Sequence, residues 1–96
     1  MRKGGGVKAQ YTVTALSEND NSSLLRLIAA MGRHRIEIER YTCSRRRSSG
    51  TYKHVLTVRA RPESIRRAVK RIGGCVGVFG ICYRRLEETV NSEKAG

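Results

Sequence analysis

YTVTALSENDNSSLLRLIAAMGRHRIEIERY, residues 11–41, passes from a strand pattern through a polar turn into a helix and out into a second strand. Tyr11, Val13 and Ala15 alternate with Thr12 and Thr14, the period-two signature of a half-buried strand over residues 10–16. Ser17 to Ser23 then offer several N-caps in a row. Leu24, Leu27, Ile28 and Met31 follow at i, i+3, i+4 and i+7, one apolar helix face, with Gly32 placed for a terminating turn. A turn of this kind presents free backbone N–H groups at a helix N-terminus, which can hold a carboxylate.

Working outward, Ile36 and Ile38 open the second strand, but Tyr41 and Cys43 break their parity, so a bulge is expected near Glu39-Arg40. Residues 44–50 read as a polar loop. From Thr51 to Ala60 a third strand places His54, Leu56, Val58 and Ala60 on one face. Pro62 suits the first position of a second helix, Glu63 its positive end, and Ile65, Ala68, Val69 and Ile72 its buried stripe. Gly73-Gly74 stop it, and residues 75–83 read as the fourth strand.

The order β-α-β-β-α-β with right-handed crossovers predicts a ferredoxin-like α+β domain: a four-stranded antiparallel sheet with both helices on one face. The other face and an edge strand stay open, surfaces commonly covered by a second copy. Residues 1–9 read as a flexible leader and residues 86–96 as a polar tail.

Ninety-six residues allow one modest core, and one Phe with no Trp makes that core aliphatic. No run approaches the roughly 20 apolar residues of a membrane span, and no secretory signal follows Met1, so the expected location is cytoplasmic. Cys43, Cys75 and Cys82 show no metal or redox spacing and read as reduced thiols packed as small hydrophobes.

A catalytic reading finds no nucleophile with a base and orienting group, and no metal or cofactor motif. His34 and His54 read as structural, and Glu37 with Glu39 as surface partners of neighbouring arginines. The net charge of +12 opens an alternative function, a basic module binding RNA or another polyanion. Base stacking needs aromatics on the central strands, and only Tyr11 and Tyr52 are offered, so nucleic acid is the less favoured partner.

An ungapped resemblance to the small, regulatory subunits of acetolactate synthase, of the short single-domain type, runs from about Tyr11 to Tyr83. It is carried by Glu18-Asn19 at the first turn, Leu24 and Arg26, Arg33, Ile36-x-Ile38-Glu39, Gly50, and the spacing of Ile65, Val69 and Ile72. The resemblance implies an ACT domain over residues 10–85: a homodimeric, non-catalytic regulator that binds a branched-chain amino acid at its dimer interface. It further implies docking on a thiamine-diphosphate-dependent catalytic subunit, which carries the cofactor; none is expected on this chain. A free-standing ACT protein with another partner is a further possibility.

The residues the resemblance nominates for the effector are Asn19, Asp20, Asn21, Ser22, Ser23 and Leu24 at the turn, with Glu37 and Ile38 at the second strand. Asn19 matches an effector-binding asparagine. Ser22 stands where the family has glycine, and Glu37 where it has a second asparagine. Like charges at ~4 Å cost about 4 kcal/mol at an effective dielectric of 20, so Glu37 would repel an effector carboxylate or attract its ammonium. The expectation is a retained fold and dimer with valine sensing weakened, altered or lost.

Overall fold

Ala9, Tyr11, Val13, Ala15 and Ser17 are all buried and alternate with half-exposed neighbours, and this alternation gives β1 (Ala9–Ser17) one face in the core. The computed structural model describes residues 7–18 and 21–86, with the side chain of residue 21 left aside. After β1 come α1 (Asn21–Arg33), β2 (Glu37–Arg45), β3 (Tyr52–Ala60), α2 (Pro62–Gly73) and β4 (Val78–Arg85). The sheet is antiparallel with order β2-β3-β1-β4, the ferredoxin-like arrangement expected from the sequence.

The core lies between the helices and one sheet face. Leu56, Val58 and Ala60 of β3 stand opposite Val13, Tyr11 and Ala9 of β1, and Ile65, Ala68 and Ile72 of α2 close over them. Tyr11 meets Tyr83 of β4 edge-to-face with ring centroids 5.9 Å apart. On α1 the buried apolar side chains are Leu27, Ala30 and Met31; Leu24 is half-buried, and Ile28 is 44% exposed. The core stripe is thus rotated away from Ile28 toward Ala30. Ile28, with Leu25 at 65% exposure, lies on the flank away from Arg26, whose guanidinium reaches back to the Val76 carbonyl oxygen before β4.

The bulge falls where the broken parity placed it. Ile38 pairs with Val58 and Arg40 with Thr57, leaving Glu39 as the extra residue. Glu37 and Glu39 both serve surface pairs, Glu37 with Lys8 at 3.4 Å and Glu39 with Arg59 at 3.1 Å. The amide of Gln10 and then the Arg59 guanidinium hold the Glu39 carboxyl below its ordinary range.

Several expectations shift. The first helix ends at Arg33, one residue past Gly32, and the left-handed terminating position falls beyond it. Ile36 N–H donates to the Met31 carbonyl (2.9 Å) and Arg35 N–H to that of Gly32 (3.0 Å), a Schellman termination with Arg35 in the left-handed position at φ 59°. Glycine is favoured there because a Cβ costs about 1 kcal/mol. The fourth strand is Val78–Arg85, not residues 75–83, since Gly77 at φ 92° still belongs to the turn and Arg84 and Arg85 continue the ladder with β1. Cys43 and Cys82 are exposed on the edge strands rather than packed as small hydrophobes; Cys75 is half-buried. The leader up to residue 6, and the tail from residue 87, lie outside the described residues. Among the described residues no helix is long and apolar enough to cross a membrane.

Candidate functional site

The first turn leaves β1 at a buried, hydrogen-bonded corner. Ser17, expected among the N-caps, is the last residue of β1 and is 1% exposed. Its hydroxyl donates to the Glu18 carbonyl (3.1 Å) and accepts from Nε2 of His54 at 2.8 Å. The Tyr41 hydroxyl donates to Nδ1 of His54, also at 2.8 Å, and the two rings stack. The network therefore assigns the proton of His54 to Nε2.

Burial holds His54 below its ordinary pKa, keeping it neutral. Burial, with the Cys43 thiol beside it, pushes the Tyr41 phenol up to about 12. A Ser-His pair buried this deeply lacks access to a substrate, so its role is to brace the corner. The sequence placed His54 on the inward face but gave no sign of its partners, because Ser17 and Tyr41 reach it from two other strands.

Beyond Ser17 the chain is pinned to the far side of the sheet. Glu18 N–H donates to the Gly77 carbonyl at 2.8 Å. A Cβ on Gly77 would stand 3.0 Å from Ser23 Oγ and 3.7 Å from Glu18 Oε1, so glycine is needed for both its dihedral and the close approach. Ser23, in the first turn of α1, is 2% exposed with its hydroxyl unpartnered. Ser22 is half-buried beside it, and Leu24 packs against the core. Asn19 and Asp20 lie outside the described residues, as does the side chain of Asn21. The part of the turn that is described is therefore a helix N-terminus with two serines and Glu18 around it.

Glu37 and Ile38 are not brought to this turn. They open β2 opposite Arg59 and Val58, level with Gln10 and Tyr11 near the start of β1, with Glu37 about 26 Å from Glu18 along that strand. Within one chain the nominated residues that the structure describes occupy two separate ends of the sheet.

The face expected to stack bases carries no aromatic ring from the central strands among the described residues. Tyr11 is 3% exposed and faces the helices, and Tyr52 stands opposite Ser17 on that same inner face. The outer face presents Thr12, Thr14, Thr57 and Arg59. Among the described residues no group of three or more His, Cys, Asp or Glu side chains is placed to hold a metal ion.

Neither a protein-family model nor a curated protein matches the chain. Solved structures do. A homoserine dehydrogenase from Thiobacillus denitrificans matches with TM-score 0.75 and 15% identity, over 88% of this chain but 19% of that one. The ACT domain of the GTP pyrophosphokinase of Chlorobium tepidum matches with TM-score 0.67 and 12% identity, over 83% of this chain and all of that one. A formyltetrahydrofolate deformylase from Burkholderia mallei matches with TM-score 0.61 and 16% identity, over 81% of this chain and 28% of that one. The fold is that of the ACT domain.

Proposed function

We propose that the chain is a non-catalytic regulatory module that senses an amino acid at a site shared between two copies. The observation that carries this reading is the separation of Glu37 from the first turn, combined with the unpaired edge of β2. Two copies joined antiparallel along β2 set the start of one strand beside the end of the other. Arg45 at that end lies in one row with Tyr52 and Ser17 across the sheet, so the partner subunit's Glu37 comes level with the turn. Exposed Leu25 and Ile28 on the free flank of α1, with Ile38 on β2, supply the apolar surface such a dimer buries.

In this arrangement the free N–H groups at the start of α1 receive the effector carboxylate. The partner subunit's Glu37 receives its ammonium, and Leu24 with the partner subunit's Ile38 receives an aliphatic side chain. The resemblance read from the sequence makes a branched-chain amino acid the effector class. It makes a catalytic subunit of the acetolactate synthase kind the enzyme that responds. Occupancy alters that enzyme only by binding two states of the dimer unequally.

Thermal denaturation against the individual amino acids tests the site, because a ligand of the folded state raises the midpoint by mass action. The expected result is a rise with an aliphatic amino acid in a dimeric protein, and a smaller response to valine after Glu37→Asn, which removes the charge that receives the ammonium. Monomeric sedimentation, with no response from wild type or Glu37→Asn, overturns the reading.

A further inference from the structure

At the opposite end of β1 lies an open pocket of about 220 Å³ lined by Lys8, His34, Arg35, Arg61 and Ser64. We propose that it binds the phosphoryl group of a small phosphorylated molecule, on cationic side chains that the amino-acid site does not use. Three segments distant in sequence converge there: the approach to β1, the α1–β2 turn, and the residues that open α2. Among the described residues no carboxylate lines it. Of the nearby carboxylates, Glu37 pairs with the pocket's own Lys8 at 3.4 Å, and Glu63 is engaged with Arg67 at 3.1 Å.

The charge suits a dianion. Lys8, Arg35 and Arg61 bring three positive charges, and Glu37 offsets one, leaving two. A phosphate monoester carries about −1.5 to −2 at neutral pH, against one charge for a carboxylate. Two guanidinium groups supply forked donors that match phosphate oxygens. Pro62 occupies the first position of α2, and the helix's hydrogen bonding starts with Ile65 N–H to the Arg61 carbonyl. The N–H groups of Glu63 and Ser64 thus have no intrahelical acceptor.

Two features of the pocket have no explanation in packing. Nε2 of His34 is shielded from solvent and has no hydrogen-bond partner. Arg35 occupies the left-handed helix-terminating position that glycine fills at least cost, and there its side chain lines the pocket. A residue standing against its backbone preference points to use of the side chain. The polymeric alternative, a nucleic-acid backbone, needs an extended track rather than a concave pocket of this size.

Arg35→Gly provides the test, since it removes the cation while relieving the backbone. Titrations of the full chain use sodium phosphate, glucose 6-phosphate and a single-stranded oligonucleotide, each at fixed ionic strength with chloride as the balance. Wild type should bind phosphate or the ester saturably, and whichever binds more tightly identifies the free or esterified source. Arg35→Gly should melt higher than wild type in chloride yet lose about tenfold or more in phosphoryl affinity, and Arg61→Gln should lose as much. A non-specific stabilisation by phosphate would act equally on wild type and both variants, and that equality overturns the proposal. So does binding of the oligonucleotide alone.

Discussion

Ser17 Oγ lies 2.8 Å from Nε2 of His54, and the two residues are 1% and 2% exposed. This hydrogen bond ties the end of the central strand to its neighbour at the point where the chain leaves for the first turn. Ser17→Ala leaves a buried N–H without an acceptor, an expected loss of about 1–3 kcal/mol in denaturant unfolding. Tyr41→Phe removes the donor to Nδ1 and should fall in the same range. Loss below 0.5 kcal/mol for both, roughly the scale of a surface change, would contradict a bracing role.

The same histidine sets a pH dependence. His54 is held below its ordinary value of 6.5 by burial, so the unfolded chain takes up its proton first. Its contribution is complete above about 6.5 and fades as pH falls through that value toward the folded pKa. Glu39 acts in a lower window, below its ordinary 4.5, where protonation removes what Gln10 and Arg59 supply. The melting midpoint should therefore drop between pH 7.5 and 5.5, and His54→Gln should flatten that drop. An equal slope in both proteins would assign the effect to other groups.

Gly77→Ala meets two obstacles, a φ of 92° and a contact of 3.0 Å with Ser23 Oγ. The expected cost is about 1 kcal/mol or more. Ser23→Ala should be close to neutral alone, because its buried hydroxyl has no partner to lose. It should rescue only the steric part of Gly77→Ala, so the double variant remains less stable than wild type by urea titration.

Assembly is tested on the flank of α1. Ile28 is 44% exposed, so Ile28→Glu should leave the fold intact by circular dichroism. A dimer that buries this flank should dissociate to monomer in sedimentation equilibrium, because an unpaired charge is costly inside an apolar interface. A dimer unchanged by both Ile28→Glu and Leu25→Glu would place the interface elsewhere.

Much of this architecture was legible in the chain because local periodicity carries it. Alternation from Tyr11 to Ala15 and from His54 to Ala60 marks the two central strands, since a residue on a half-buried strand has only two faces to choose between. The broken parity at Tyr41 located the bulge for the same reason. Pro62 and the stripe from Ile65 to Ile72 defined α2 by local rules of helix start and burial.

What the sequence could not specify depended on distant segments. The buried stripe of α1 excludes Ile28 because the angle a helix presents to a sheet depends on how its neighbours fill the groove, here with Arg26 turned toward Val76. The terminating residue was Arg35 rather than Gly32, because burial of Ile36 beneath the helix set the length of the last turn. The hydrogen bonds of His54 join three strands, and the basic pocket joins three turns, so no local pattern announces either. Sequence alone determined the elements, their order and the open strand edge, all consequences of backbone geometry and hydrophobic period. Only the tertiary structure decided which polar groups meet, because hydrogen bonds and charge clusters act through space and are indifferent to separation along the chain.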